Sequence, residues 1–343
     1  MISRVLETEG TRLQFKQPAS VVAEYDVPED AWFFRGNSHP SVMPYSILME
    51  IALQPNGFVS AWVGTTLTAP DVDFCFRNLD GQGTILRPID LRGKTITNRS
   101  ELLSTVTTGN TIIQQFRWDL SHGGEPFYEG TAVFGYFLHS ALTNQIGLDG
   151  GIANDPLQTR EYLSDVPVVH IDLKSAAARK PLYAEKADRP YERLAGLQLD
   201  FLDEAHIVEQ GGKYGLGYVC GYKKIDPSDW FYPCHFHQDP VMPGSLGVES
   251  ILQAMQIFSL HQGLGASFRS PRFCQRLNHR VLWKYRGQLI PTDDRMVIEV
   301  HIKSVEREPE RVTVIGDASL WKNDIRIYEI TDAAICLEES VAG

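Results

Sequence analysis

Long hydrophobic runs are missing from this sequence of 343 residues. No apolar stretch approaches the ~20 residues that a helix needs to cross a bilayer. The N-terminal run MISRVLETEGTRLQ lacks the apolar core of a secretion signal. We therefore expect a cytoplasmic protein with no membrane span.

Cysteine and positive charge are also scarce. The five cysteines are scattered, with no CxxC spacing: Cys75, Cys220, Cys234, Cys274 and Cys336. This pattern argues for reduced thiols and against a disulfide framework or a zinc site. The 32 Lys and Arg against 43 Asp and Glu give a net charge of −11, which is the wrong sign for general nucleic-acid binding. We expect neither a metal nor a nucleic-acid partner.

One stretch inverts this acidic balance. Residues 250–292 contain no Asp or Glu, yet they carry several basic residues: Arg269, Arg272, Arg276, Arg280, Lys284 and Arg286. Two interpretations stay open. The stretch is either a solvated face whose sign is chance, or a docking surface for an acidic partner or a phosphate-bearing substrate.

The sequence repeats itself. The tripeptides WFF and VMP in the first half recur as WFY and VMP in the second half. From Val42 and Val241 onward the offset is 199 residues (241 − 42), and the same offset relates Glu50 to Glu249 (249 − 50). Upstream the offset is 198, so the loop of the second copy carries one extra residue. We interpret the pattern as two fused copies of one fold.

The chain length fits about two units of roughly 150 residues. We expect a degenerate first copy in residues 1–149 and a second copy in residues 194–343. Residues 150–193 are rich in Pro, Asp, Ala and charge, with little sustained periodicity. We interpret them as the linker between the copies.

Each copy is expected to contain one buried helix among strands. The alternating run GYVCGYKKI at 217–225 indicates a strand, and an apolar helix begins near Ser245. The equivalent helix begins near Pro44 or Ser46 in the first copy. Helices that are apolar on most sides are buried, and only strand-like runs follow the second one. The sequence predicts an α+β fold in which an antiparallel sheet wraps a helix, made twice.

The residues around the second VMP carry a family resemblance. The run WFYPCHFHQDPVMPGSLGVESILQ, with GGKYGLGYVCGYKKI before it and WKYRGQLIPT after it, resembles the FabA-type β-hydroxyacyl-carrier-protein dehydratases, which have the hot-dog fold. The similarity covers about residues 195–338. The first copy, with MPYSILMEIALQPNGFVSAW, is similar to the degenerate partner hot dog in dehydratase domains of polyunsaturated-fatty-acid synthases. The resemblance implies a double hot-dog, a pseudo-dimer of two fused units.

The resemblance implies dehydration of a (3R)-hydroxyacyl thioester to a trans-2-enoyl thioester. A base removes the proton from C2, an acid protonates the departing hydroxyl at C3, and hydrogen-bond donors stabilise the developing enolate oxygen. No metal or redox cofactor takes part, and the acyl group is carried on the phosphopantetheine of an acyl carrier protein. We therefore expect this carrier and other synthase components as partners.

The resemblance also implies the roles of individual residues. His235 is the base, and the acid stands at the position of Glu249 in the second copy and Glu50 in the first. In hot-dog dimers of this family the histidine and the acid come from different units, which pairs His235 with Glu50. Glu249 stays open as an acid from the same copy. A mirror site would need a histidine near Gly36 or Asn37, so we expect one active site per chain.

Substrate-binding residues follow from the same motif. Gly244 and Ser245 would offer backbone N–H groups at a helix start to the thioester oxygen. Phe236 flanks the base, and Gln253 follows Glu249 by one turn. We expect Gln253 to orient a carboxylate or a water molecule.

The acid-free stretch is the candidate docking surface for the carrier. The expected docking residues are Arg272, Arg276, Arg280 and Lys284. Charge reversal at Arg276 and Arg280 should weaken turnover of a carrier-bound substrate more than turnover of a short thioester mimic.

Three alternative functions stay open. Some FabA-type enzymes couple dehydration to isomerisation and give cis-enoyl products, and hot-dog folds also serve thioester hydrolysis. A non-enzymatic acyl-binding or scaffolding module is the third. The His235 motif argues against hydrolysis, and the intact second copy argues against a non-enzymatic module. Because the pseudo-dimer would complete its site within one chain, we expect a monomer, with further pairing possible at exposed sheet edges.

Overall fold

The computed structural model describes residues 1–152, 154–157 and 166–340. Within the linker expected at 150–193, residues 153 and 158–165 therefore lie outside the described residues. The chain divides into two compact units, and each takes in a short segment from the opposite half of the sequence. Unit 1 comprises Met1–Ala31, Tyr45–Gln145 and Leu277–Tyr285, and unit 2 comprises Trp32–Pro44, Ile146–Arg276 and Arg286–Gly343. The domain boundaries expected from the sequence remain a prediction.

Helices are few in the described part of the chain. The α-helices are α1 (Trp32–Gly36), α2 (Tyr45–Trp62), α3 (His139–Thr143), α4 (Ala176–Tyr183) and α5 (Gly244–His261). Short 3₁₀ turns cover Thr65–Thr68 and Leu197–Leu199. None of the helices in the described residues combines the length and the apolar character needed to cross a membrane.

Unit 1 is an antiparallel sheet packed on α2. Its strands are β1 (Arg4–Glu9), β2 (Ala19–Asp26), β3 (Phe74–Ile85), β4 (Thr95–Thr108), β5 (Thr111–His122) and β6 (Glu125–Leu138). They pair in the order β1-β2-β4-β5-β6-β3. In β5, Phe116, Trp118 and Leu120 are buried while the residues between them are more exposed. This alternation gives the sheet one apolar face, and α2 packs against β2, β4 and β5.

Unit 2 repeats this arrangement around α5. Its strands are β7 (Val169–Asp172), β8 (Glu204–Val208), β9 (Tyr218–Lys224), β10 (Pro271–Cys274), β12 (Arg295–Glu308), β13 (Arg311–Lys322) and β14 (Ile325–Glu339). They pair antiparallel in the order β7-β8-β9-β12-β13-β14-β10. The helix α5 is buried on most sides and packs against β9, β12, β13 and β14.

One strand from the second half of the sequence completes the sheet of unit 1. Strand β11 (Arg280–Tyr285) pairs antiparallel with β3. The indole of Trp283 lies over Gly81, where an added Cβ would stand 2.2 Å from the ring, and its Nε1 donates to Asn78 Oδ1 at 2.7 Å. Glycine at position 81 is therefore required by this close approach.

The two units share their element order and their irregularities. Strands β4, β5 and β6 begin at residues 95, 111 and 125, and β12, β13 and β14 begin at 295, 311 and 325, a constant offset of 200 (295 − 95). A break in pairing register falls between Leu102 and Ser104 of β4 and again between Ile302 and Ser304 of β12. The α+β class and the antiparallel sheet predicted from the sequence are confirmed.

Candidate active site

Main-chain hydrogen bonds within the loop ahead of α5 surround His235. The His235 amide donates to the Phe231 carbonyl at 3.0 Å, and the Val241 amide donates to the His235 carbonyl at 2.8 Å. Between them, Phe236 and Asp239 exchange main-chain hydrogen bonds of 3.0 and 3.2 Å. These bonds hold a half-buried imidazole just before the helix.

The tautomer of the neutral His235 ring follows from its neighbour. His235 Nδ1 lies 2.9 Å from the carbonyl oxygen of Val241. A carbonyl oxygen only accepts hydrogen bonds, so the neutral ring carries its proton on Nδ1 and keeps a lone pair on Nε2. That tautomer is the one that can accept a proton from a substrate. The ring also packs against Phe236 in a tilted arrangement with centroids 4.0 Å apart, and Phe236 is 37% exposed.

The equivalent loop of the first copy makes the same bond without a base. Asn37 corresponds to His235 (235 − 37 = 198), and Val42 corresponds to Val241 (241 − 42 = 199). Asn37 Nδ2 donates to the Val42 carbonyl at 2.6 Å. An amide nitrogen has no available lone pair, so this position keeps the loop bond and loses the proton acceptor. The sequence analysis noted only that this position lacks a histidine. The offset of 198 residues could already have matched Asn37 to His235.

The expected donors for the thioester oxygen stand at the start of α5. The helix begins at Gly244, and the Leu246 and Gly247 amides reach the Pro243 carbonyl at 3.0 and 3.4 Å. The Gly244 and Ser245 amides therefore stand in the first turn, ahead of the first amides that donate within the helix. They lie at the positive end of the helix dipole.

The two candidate carboxylates belong to different units. Glu249 lies on α5 in unit 2 and is 8% exposed, whereas Glu50 lies on α2 in unit 1 and is half-buried. Near α2, burial lowers the pKa of the Met1 amine, and the charge of Glu50 raises it by a smaller amount. The same amine donates to Gln54 Oε1. The structure thus brings His235 and Glu249 into one unit, and the pairing of His235 with Glu50 stays a prediction.

Gln253 is engaged with the segment that precedes β8. Its Oε1 accepts a hydrogen bond from the Phe201 amide at 2.9 Å, and its Nε2 donates to Tyr183 and Asp200, each at 3.3 Å. These bonds attach residues 183–201 to α5. The expected contact of Gln253 with substrate or water would require the amide to exchange these partners, and it stays a prediction.

In the fold, glutamates from other parts of the sequence lie beside two of the arginines in the acid-free stretch. Arg272 pairs with Glu338 of β14 at 2.8 Å, and Arg276 lies 3.7 Å from Glu306 of β12. The other two expected docking residues lie on β11 in unit 1, where Arg280 is exposed and Lys284 is half-buried. The sequence analysis did not show these neighbours, because Glu306 and Glu338 lie outside residues 250–292 and only the fold brings them beside the arginines.

Unit 2 has a cavity of about 500 Å³ at the opposite end of α5. Its lining includes Leu182, Lys186, Arg189, Leu260 and His261. At about 1.5 Å rise per residue, the end of α5 is about 26 Å from its first turn, next to which His235 stands. The cavity is therefore separate from the candidate base.

Comparison with known proteins finds a family model that the second copy matches. Residues 194–331 match the family model described as FabA-like domain. Over 320 residues, 92% of this chain, the sequence is 36% identical to one of the subunits of the polyunsaturated fatty acid synthase of a Thraustochytrium species. The aligned part is 21% of that relative, so the chain spans about a fifth of its length.

Solved structures are similar at much lower identity. A putative oleoyl thioesterase from Lactobacillus plantarum matches with a TM-score of 0.50 and 9% identity, over 94% of this chain and 97% of that chain. The dehydratase domain from the CurJ module of curacin polyketide synthase matches with a TM-score of 0.49 and 11% identity, over 98% and 96%. Identities this low bear on the fold alone. The match to the FabA-like domain family covers residues 194–331 of this chain, which contain the His235 loop and α5.

Proposed function

We propose that this chain is a dehydratase that converts (3R)-hydroxyacyl thioesters on an acyl carrier protein to trans-2-enoyl thioesters. The observation that carries the proposal is the His235 ring, whose Nδ1 is held by the Val241 carbonyl inside the FabA-like domain. The similarity to a polyunsaturated fatty acid synthase supports a place in fatty acid or polyketide-type synthesis. The shared element order of the two units supports a double hot-dog.

In the proposed reaction, His235 Nε2 takes the proton from C2 of the substrate. The C3–O bond breaks, a carboxylic acid gives its proton to the departing hydroxyl, and water leaves as the C2–C3 double bond forms. The Gly244 and Ser245 amides polarise the thioester oxygen, on which negative charge develops. One proton passes from the imidazolium to the carboxylate to reset the site. These steps need no metal or redox cofactor.

We assign the acid to Glu50. The resemblance to hot-dog dimers, in which the base and the acid come from different units, supports this assignment, and the matching positions of Glu50 and Glu249 on α2 and α5 support the choice of residue. A mirror site built on Glu249 would need a histidine where the first copy has Asn37. We therefore propose one active site per chain.

The test is turnover of a 3-hydroxyacyl thioester, followed as enoyl product, by the parent chain and three variants. His235→Asn is the sharpest variant, because Asn37 shows that an amide at this position keeps the loop bond. We expect it to retain the parent melting temperature and to lose about 100-fold or more in kcat. Glu50→Gln should lose a similar factor, while Glu249→Gln should retain most of the activity.

Other outcomes would redirect the assignment. An active His235→Asn variant would remove the proposed base. If Glu249→Gln is inactive and Glu50→Gln is active, the second copy supplies both groups. Product analysis on the parent separates the rival reactions, since isomerisation yields a cis-enoyl thioester and hydrolysis releases a free thiol.

A further inference from the structure

Three potential metal ligands share one face at the edge of the sheet in unit 2. Strands β7 and β8 pair antiparallel, with His170 directly opposite His206. Glu204 stands two residues before His206 on the same strand. Residues two apart on a strand point to the same face, and directly opposed residues share a face. The register therefore places two imidazoles and one carboxylate together.

The distances between the donor atoms are close to those of a metal site. His170 Nε2 lies 3.3 Å and His206 Nε2 lies 3.7 Å from Glu204 Oε2, and the three donor atoms lie within 4.8 Å of one another. In a tetrahedral site with metal–ligand bonds of about 2.0–2.1 Å, neighbouring donors are about 3.4 Å apart. Small side-chain rotations would close the remaining gap, and His170 and Glu204 are exposed enough to make them.

The chemistry of this set also suits a metal. Two imidazoles and a carboxylate are a known zinc donor set, with a fourth position left for water. Metal binding requires unprotonated imidazole nitrogens. No cysteine is involved, so the cysteine spacing could not have predicted the site.

We propose that His170, Glu204 and His206 bind a divalent first-row transition metal ion, such as Zn²⁺, which fastens β7 to β8. Strand β7 is only four residues long and lies at the edge of the sheet. A bound ion would link His170 of β7 to Glu204 and His206 of β8. The site is independent of the proposed dehydration, which uses no metal.

The main rival is an ion pair that never takes up metal. His170 and Glu204 form such a contact at the distance already given. A matched control exists in the same unit, where His261 Nε2 lies 2.8 Å from Glu209 Oε1 and the pair has the same residue types. Within the described residues, the His261–Glu209 pair is not part of a group of three candidate ligands.

The test is metal titration of the whole chain after chelator treatment. Calorimetry with Zn²⁺ and visible absorption with Co²⁺ should report one site per chain, with a Co²⁺ spectrum of tetrahedral nitrogen and oxygen coordination. Zn²⁺ should raise the melting temperature. His170→Ala and Glu204→Gln should each weaken binding at least about tenfold and abolish the thermal shift. His261→Ala should bind as the parent does.

Three results would overturn the proposal. They are no saturable binding by the parent, equal binding by the parent and His170→Ala, or loss of binding in His261→Ala alone. Titration of His235→Asn separates any binding at the candidate active-site base. Circular dichroism checks that each variant is folded, and the half-exposed edge position of His170 makes its variant the safest of the set.

Discussion

His235 and Asn37 occupy matching loops and differ in whether the side chain can accept a proton. Both side chains donate to the carbonyl of the valine in the VMP motif, at 2.9 and 2.6 Å. Only the imidazole has a second nitrogen with a lone pair. The sequence predicts His235 as the base, and that role stays a prediction. It could not predict the Val241 contact, because main-chain atoms carry no residue type.

Cys234 offers a residue-scale probe of this site. It is exposed next to His235, whereas burial raises the pKa of the Cys220 thiol to about 12. Since the thiolate is the reactive form, a bulky maleimide at neutral pH should label Cys234 first, as mapped by peptide mass spectrometry. Labelling should block substrate access and inactivate the enzyme. Cys234→Ser should stay active and resist inactivation; an inactivated serine variant would place the sensitive thiol elsewhere.

At the scale of elements, the sequence predicted long features better than short ones. The helices expected near residues 44–46 and 245 begin at Tyr45 and Gly244, and the strand expected at 217–225 spans Tyr218–Lys224. Long apolar stretches and the repeat determined these positions. Strand β7 and helix α4 went unpredicted, because four and eight residues are too few to show a period. The opposition of His170 and His206 depends on strand register, which composition does not reveal.

The helix α5 leaves no room for a side chain at Gly247. An added Cβ would stand 2.4 Å from Tyr328 Cε2 and 3.2 Å from Leu320 Cδ1. Gly247→Ala should therefore destabilise the fold by about 1–3 kcal/mol, despite the better helix propensity of alanine. Gly57→Ala on α2 is the matched control, since its Cβ would meet Phe76 at 3.4 Å.

Urea denaturation measures both variants. The control should be neutral or up to about 1 kcal/mol more stable, because it gains helix propensity without a clash. Equal effects of the two substitutions would mean that the close packing of α5 on β13 and β14 is not what selects glycine.

At the scale of the whole molecule, the net charge of −11 opposes the approach of an acidic carrier. Binding must then depend on local positive charge. Arg272 and Arg276 have glutamates beside them, while Arg280 is exposed on β11. We therefore rank Arg280 first among the candidate docking residues and expect a smaller effect at Arg276.

Arg280→Glu should lower kcat/KM for a carrier-bound substrate about fivefold or more at low salt, with the difference shrinking as salt rises. Turnover of a short thioester mimic should not change. Arg295→Glu is the control, because Arg295 is exposed and pairs with Asp324 outside the acid-free stretch. Equal losses on both substrates would exclude carrier docking at this residue.

The exchange of segments between the halves of the sequence has a consequence for how such chains can recombine. Unit 2 includes Trp32–Pro44, whose Trp32 ring packs 5.0 Å from Trp230, and unit 1 includes the strand β11. The repeat in the sequence and the compact units of the structure therefore have different boundaries. A crossover in the linker would give each recombinant protein residues 32–44 from one parent inside a unit that comes mainly from the other parent. The same would hold for strand β11 in unit 1. We therefore expect recombination between related proteins to preserve both units only when the whole chain is exchanged.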